Sequence, residues 1–202
     1  MKNHRFIFWV NGIFLLLVIS TTACTKLLNL PTEGLFFPPS SPQYPTAGLL
    51  TYTFQLLCYI PPIVCAFSFA LLKKIRPKNQ NNNFILSSAL LMLGFLINEV
   101  YRIHITLVYA GIPKLTTITV YGMIALVYTK AFWKRIKSTP YSLLLASVGL
   151  LLIAILIDSL HLTNISSFLE GVPKLFSGIN AALYFWIICY KEIILATDDE
   201  RM

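Results

Sequence analysis

Charge is scarce in this sequence. Of 202 residues only 12% are Asp, Glu, Lys or Arg, about half the share usual in a soluble domain. A polar surface large enough to wrap a soluble core is therefore missing. Histidine is scarcer still, at three residues, and His4 is separated from His104 and His161 by the predicted topology. A three-histidine zinc centre of the kind used by intramembrane hydrolases cannot be assembled from one side. The four cysteines (Cys24, Cys58, Cys65 and Cys189) show no pair at metal-knuckle or redox-motif spacing, and read as buried thiols acting as small apolar groups. There is no Gly-rich phosphate loop ending in Lys-Ser or Lys-Thr, no Gly-x-Ser-x-Gly elbow and no His-Glu-x-x-His. No cofactor is named by any motif.

What the chain has is hydrophobicity, 56% of its residues, gathered into blocks of about 20 residues, the length an α-helix needs to cross a bilayer. The fold class expected is an all-α, polytopic transmembrane bundle forming a single domain over 1–202. Its six spans are placed at about 6–23, 48–72, 84–108, 115–133, 141–160 and 172–190.

The net charge of +8 raises the question of nucleic acid, which the distribution answers in the negative. The cations sit in short loops beside apolar blocks rather than along one helix face. Lys2 and Arg5 precede the first span, and Lys73, Lys74, Arg76 and Lys78 follow the second. Lys130, Lys134, Arg135 and Lys137 close the fourth, and Lys191 and Arg201 follow the sixth. The other side has Lys26, Lys114 and Lys174. The bias alternates at every crossing, so the positive-inside rule places both termini in the cytoplasm of a plasma (inner) membrane. The acidic tail Asp198, Asp199 and Glu200 does not alter this, because the rule counts Lys and Arg. The bilayer is the first partner implied; a membrane-protein partner or a second copy is compatible with the same pattern.

The loop at 24–47 is the long one, with Pro31, Pro38, Pro39, Pro42 and Pro45 favouring extended chain. Its Phe36, Phe37 and Tyr44 are expected on the membrane interface or as a lid over the bundle. The first span also has the layout of a signal peptide ending at Cys24, although Thr21 stands where a lipobox normally has Leu. Cleavage there would leave five spans. Asn164-Ile165-Ser166 matches a glycosylation acceptor, a short and frequent pattern. Pro61 and Pro62, mid-span and close to Gln55, are expected to kink or break the second helix. Gly94, Ala125, Gly149, Gly178 and Ala182 would let helices approach closely. Trp9, Tyr109, Trp133, Tyr141 and Tyr190 fall where aromatic belts belong.

Ionisable groups within a bilayer cost about 2.5–3.5 kcal/mol each on insertion scales and need a reason. Glu99, Arg102 and His104 fall in the outer third of the third span, the first two one helical turn apart. Asp158 and His161 end the fifth span, and Glu170 and Lys174 begin the sixth beside Pro173. All seven share one depth on the outer side, with Asn98, Tyr101, Asn164 and Asn180 near enough to add hydrogen bonds. Two readings follow: an outward-facing polar site for a small ligand, ion or proton, or ion pairs that hold together a non-catalytic accessory subunit. A third, a metal-dependent intramembrane enzyme, would draw on His104, His161, Glu99 and Asp158.

The segments Asn98-Glu99-Val100-Tyr101-Arg102-Ile103, Ile157-Asp158-Ser159-Leu160 and Leu169-Glu170-Gly171-Val172-Pro173-Lys174-Leu175 together resemble a pattern in uncharacterised bacterial polytopic membrane proteins of about six spans. The resemblance covers the second half of the chain. It departs at Leu169, where a second acidic residue would precede Gly171. It implies a bacterial membrane protein and brings no activity with it.

Overall fold

In a computed structural model the described residues are 2–36, 46–77, 79, 81–159 and 167–199. Among them the secondary structure is helical: α1 (Lys2–Leu27), a 3-10 turn (Thr32–Leu35), α2 (Leu49–Ile75), α3 (Asn81–Tyr101), α4 (Ile103–Tyr109), α5 (Lys114–Ala131), α6 (Trp133–Lys137), α7 (Tyr141–Ser159) and α8 (Ser167–Asp199). Helices follow from the composition. A long apolar run away from water can satisfy its amides and carbonyls only internally, and a helix does so residue by residue. Five described helices are long and apolar enough to cross a membrane: Arg5–Leu27, Leu49–Ile75, Asn81–Tyr101, Tyr141–Asp158 and Phe168–Asp198. They make the chain compatible with an integral membrane protein. α5, at the expected fourth span, has 18 residues with Lys114 and Lys130 near its ends and is not among the five.

Three local outcomes differ from expectation. α2 runs unbroken through Pro61 and Pro62, both buried, although each ring removes the amide that would serve the carbonyl four residues back. The third block does break: Arg102 stands in the left-handed region (φ 50°, ψ 43°) between α3 and α4. That turn abolishes the continuous helix on which Glu99 and Arg102 would have shared a face. α8 starts at Ser167, so Pro173 lies in its second turn rather than its first.

A left-handed non-glycine residue costs about 1–2 kcal/mol, and the Arg102 side chain is exposed. Arg102→Gly is therefore expected to keep or raise stability by about 1 kcal/mol in a thermal melt. A clear loss would show that the guanidinium itself is needed.

The chain packs as two compact units, each built from two stretches of chain. The first is Met1–Leu56 with Leu144–Leu183, and the second is Leu57–Leu143 with Tyr184–Met202. Their boundaries fall inside α2, α7 and α8.

In the first unit α8 is tied to its neighbours by buried polar links. The Ser147 hydroxyl of α7 donates to the Ser177 carbonyl at 2.9 Å. The Asn180 amide donates to Phe176 O at 2.8 Å and to Asn11 Oδ1 of α1 at 3.3 Å. Away from water such bonds are specific, because the alternative is an unsatisfied polar group. Gly178 and Ala182 are buried as close packing requires. Gly149 is not used that way, since a Cβ there would meet nothing within 4 Å. α1 contrasts with α8: 6% of its span window is buried against 67%.

In the second unit Phe84 of α3 packs with Tyr128 and Phe132, ring centroids 6.1 and 5.4 Å away. The Tyr128 hydroxyl meets Ser88 Oγ at 2.7 Å. Tyr184 of α8 is fully buried with its hydroxyl 3.0 Å from Thr139 Oγ1. Cys65 and Cys189 are both buried, their sulfurs 3.7 Å apart. Gly94 faces open space.

Candidate functional site

The expected cluster is divided between the two units. Asp158, Glu170 and Lys174 belong to the first, and Glu99, Arg102 and His104 to the second. His161, Asn164, Phe37 and Tyr44 lie outside the described residues.

In the first unit the geometry converges on the opening turns of α8. Glu170 and Lys174 are four residues apart on one helix face, and both are partly buried. The Lys174 ammonium sits over the Phe54 ring of α2, 5.1 Å from its centroid, an attraction that strengthens as water is excluded. Residues 34–36, after α1, lie over these turns. Leu35 is completely buried. The Gly48 amide donates to Gly34 O at 2.6 Å and the Thr51 hydroxyl to Phe36 O at 2.6 Å, pinning the 3-10 turn to the start of α2. The Phe36 ring then meets Phe168 edge-on at 5.7 Å and lies directly on Gly171, where a Cβ would collide with it. Of the three aromatics expected on this loop, Phe36 thus acts as a lid on α8.

Asp158 belongs to the same end. α7 and α8 are joined by a short link and meet at Ser147 and Ser177, so they form an antiparallel hairpin. Counting about 1.5 Å per helical residue from that level, Lys174 and Glu170 lie about 4 and 10 Å towards the link and Asp158 about 16 Å. All three carry polar or electrostatic interactions. Counted this way, two carboxylates and one ammonium fall towards the same end of α7 and α8, where the Phe36 ring covers Gly171 and meets Phe168.

In the second unit the break at Arg102 is organised by Asn98. Its buried side chain accepts the His104 amide at 3.2 Å, so Asn98 serves the backbone. Glu99 is partly buried, while Tyr101 and Arg102 are exposed. Among the described residues no group of three His, Cys, Asp or Glu side chains is placed to hold a metal ion.

A second charged site lies in the second unit, near the end of α8. Glu192, near the end of α8, is 4% exposed, and its carboxylate is shared by two arginines. Arg76, just past α2, donates through Nη2 to Oε2 at 2.5 Å; Arg135 of α6 donates to Oε1. The Arg76 carbonyl accepts the Asn82 side-chain amide at 2.9 Å, which fixes the turn into α3. Burial, and behind it the charge of Arg76, pull the Arg135 guanidinium down from its usual range. Both arginines read from sequence only as topology signals, and Glu192 was one acid next to Lys191. The sign in the sequence is that Glu192 is followed at once by Ile193, Ile194 and Leu195, which sets an acid inside an apolar run.

A family model described as a domain of unknown function (DUF8692) matches residues 9–189, well beyond the second half that carried the sequence resemblance. No curated protein and no solved structure matches the chain.

Proposed function

The chain belongs to the DUF8692 family, and from that premise, which carries no activity with it, we propose that it is a multi-pass protein of a bacterial plasma membrane that binds a small polar ligand or ion at its outer end. In this reading α5 is the fourth of six spans: 18 residues reach about 27 Å, close to the hydrocarbon thickness, and Lys114 and Lys130 extend to the interfaces at its ends. The alternation of Lys and Arg between loops puts both termini in the cytoplasm.

The observation that carries the ligand reading is the partly buried Lys174 ammonium over Phe54, one turn from Glu170 and one turn from Gly171, which the Phe36 ring covers. Ionisable groups held at that depth are functional by default, and a cation beside carboxylates suits a zwitterion or a small anion or cation that competes for one partner. The strap gives the site a cover without a covalent closure. The test is a thermal-shift screen of the detergent-purified protein against small zwitterions, organic anions and metal cations. A ligand at a hundred times its Kd should raise Tm by about 5–10 °C. Glu170→Gln and Lys174→Gln should keep the unliganded Tm and lose that shift. Unfolding of both variants would instead make these charges structural.

A second reading has its own observation. α1 buries 6% of its span window and exposes Phe8, Trp9 and Leu16, so a non-catalytic accessory subunit would present this helix to a membrane partner or a second copy. Cross-linking in native membranes through a cysteine placed at Leu16 separates this reading from a lipid-facing helix.

A further inference from the structure

The site around Glu192 is electrically incomplete. Two guanidiniums face one carboxylate, which among the described residues leaves one positive charge unbalanced. The place is desolvated enough for Arg135 to be pulled down by burial and by Arg76. The same end of the unit carries Lys73, Lys74, Lys130, Lys134, Lys137 and Lys191, all exposed. Asp198, also exposed, comes nearly two turns further along α8. Two of the lysines are held against aromatic rings, Lys137 over Trp133 at 4.8 Å and Lys73 over Phe69 at 5.8 Å. Exposed Trp133 and Tyr190 mark this as headgroup depth, where amphipathic rings settle.

We propose that this end of the second unit binds the phosphate of an anionic phospholipid headgroup, with Arg76 and Arg135 as its centre and the lysines as its collar. Guanidiniums match phosphate oxygens better than ammonium does, and basic pockets among helix ends are where anionic headgroups lodge. Glu192 then has two tasks: it orients both arginines, and it leaves them one charge short of neutral so that an anion completes the set. A lipid rather than a soluble anion fits the depth.

The full-length protein in nanodiscs of phosphatidylcholine is compared with the same nanodiscs containing phosphatidylglycerol. Phosphatidylglycerol should raise Tm by about 3 °C or more, and inorganic phosphate added to the phosphatidylcholine discs should not. The variants separate this from a plain ion-pair staple, because they move the lipid increment in opposite directions. Arg135→Gln should shrink the increment by restoring neutrality. Glu192→Gln should enlarge it, since two guanidiniums then lack a counter-charge. Lys134→Gln should keep most of it. If Arg135→Gln does not fold in either lipid, the increment of Glu192→Gln decides alone. Equal Tm in both lipids, an unchanged increment in Arg135→Gln and Glu192→Gln, or full stabilisation by free phosphate would each overturn the proposal.

Discussion

Replacing Glu192 by glutamine is expected to destabilise the protein in neutral lipid or detergent by about 3–5 kcal/mol, because removing one partner of a buried ionic set strands the others. The carboxylate joins three chain segments that have no local reason to meet: Arg76 lies 116 positions away and Arg135 lies 57. Both arginines would keep their charge, since a guanidinium does not deprotonate in a protein, and would face each other without the carboxylate between them. The readout is the unfolding midpoint by intrinsic fluorescence or by a thiol-reactive dye reaching buried Cys65 and Cys189. A companion variant separates the charge from the packing. Changing Glu192, Arg76 and Arg135 together to Leu or Met removes every ion and should recover most of the loss, as apolar replacements of buried triads do. An unchanged midpoint for Glu192→Gln would mean that the carboxylate is hydrated and that the three segments are held by something else.

The second large effect is expected at Gly171, and its sign is the informative part. In an ordinary helix Gly→Ala stabilises by about 1 kcal/mol. At Gly171→Ala the new Cβ would meet the Phe36 ring, and overpacking of this kind costs about 1–3 kcal/mol. The strap would have to lift, loosening the hydrogen bonds from Thr51 and Gly48. Pairing Gly171→Ala with Phe36→Ala should recover part of the loss, a coupling read from a double-mutant cycle. If Gly171→Ala is stabilising by itself, Phe36 does not rest on α8, and the covered ligand site proposed for this end loses its lid.

The contrast between these two places explains what could be read beforehand. The helical blocks were legible because hydropathy is a local property, and each apolar run settles its own backbone bonding without reference to the rest. Phe36 as a lid was legible as one of two alternatives, from aromatic residues on a Pro-rich loop. The break at Arg102 was not, since nothing in Glu99-Val100-Tyr101-Arg102 marks a helix end; the turn is supported by Asn98 reaching His104, a polar contact with no periodic signature. At Pro61 and Pro62 the break, one of the two expected outcomes, does not occur. Their ring chemistry argues for a break, and the buried setting of α2 holds the helix through it.

The amino-acid sequence by itself determined that this is an all-helical chain with membrane-compatible spans and basic connecting segments, because length, apolarity and charge bias act within twenty or so residues at a time. Tertiary structure alone decided which charges are enclosed. Lys174 gains its ring partner only when Phe54 arrives from α2, Gly171 is covered only when Phe36 arrives from the preceding loop, and Glu192 becomes the most deeply held charge described only when Arg76 and Arg135 converge on it. Coulomb attraction and desolvation depend on distance in space, and one-dimensional spacing does not carry that distance across a hundred residues.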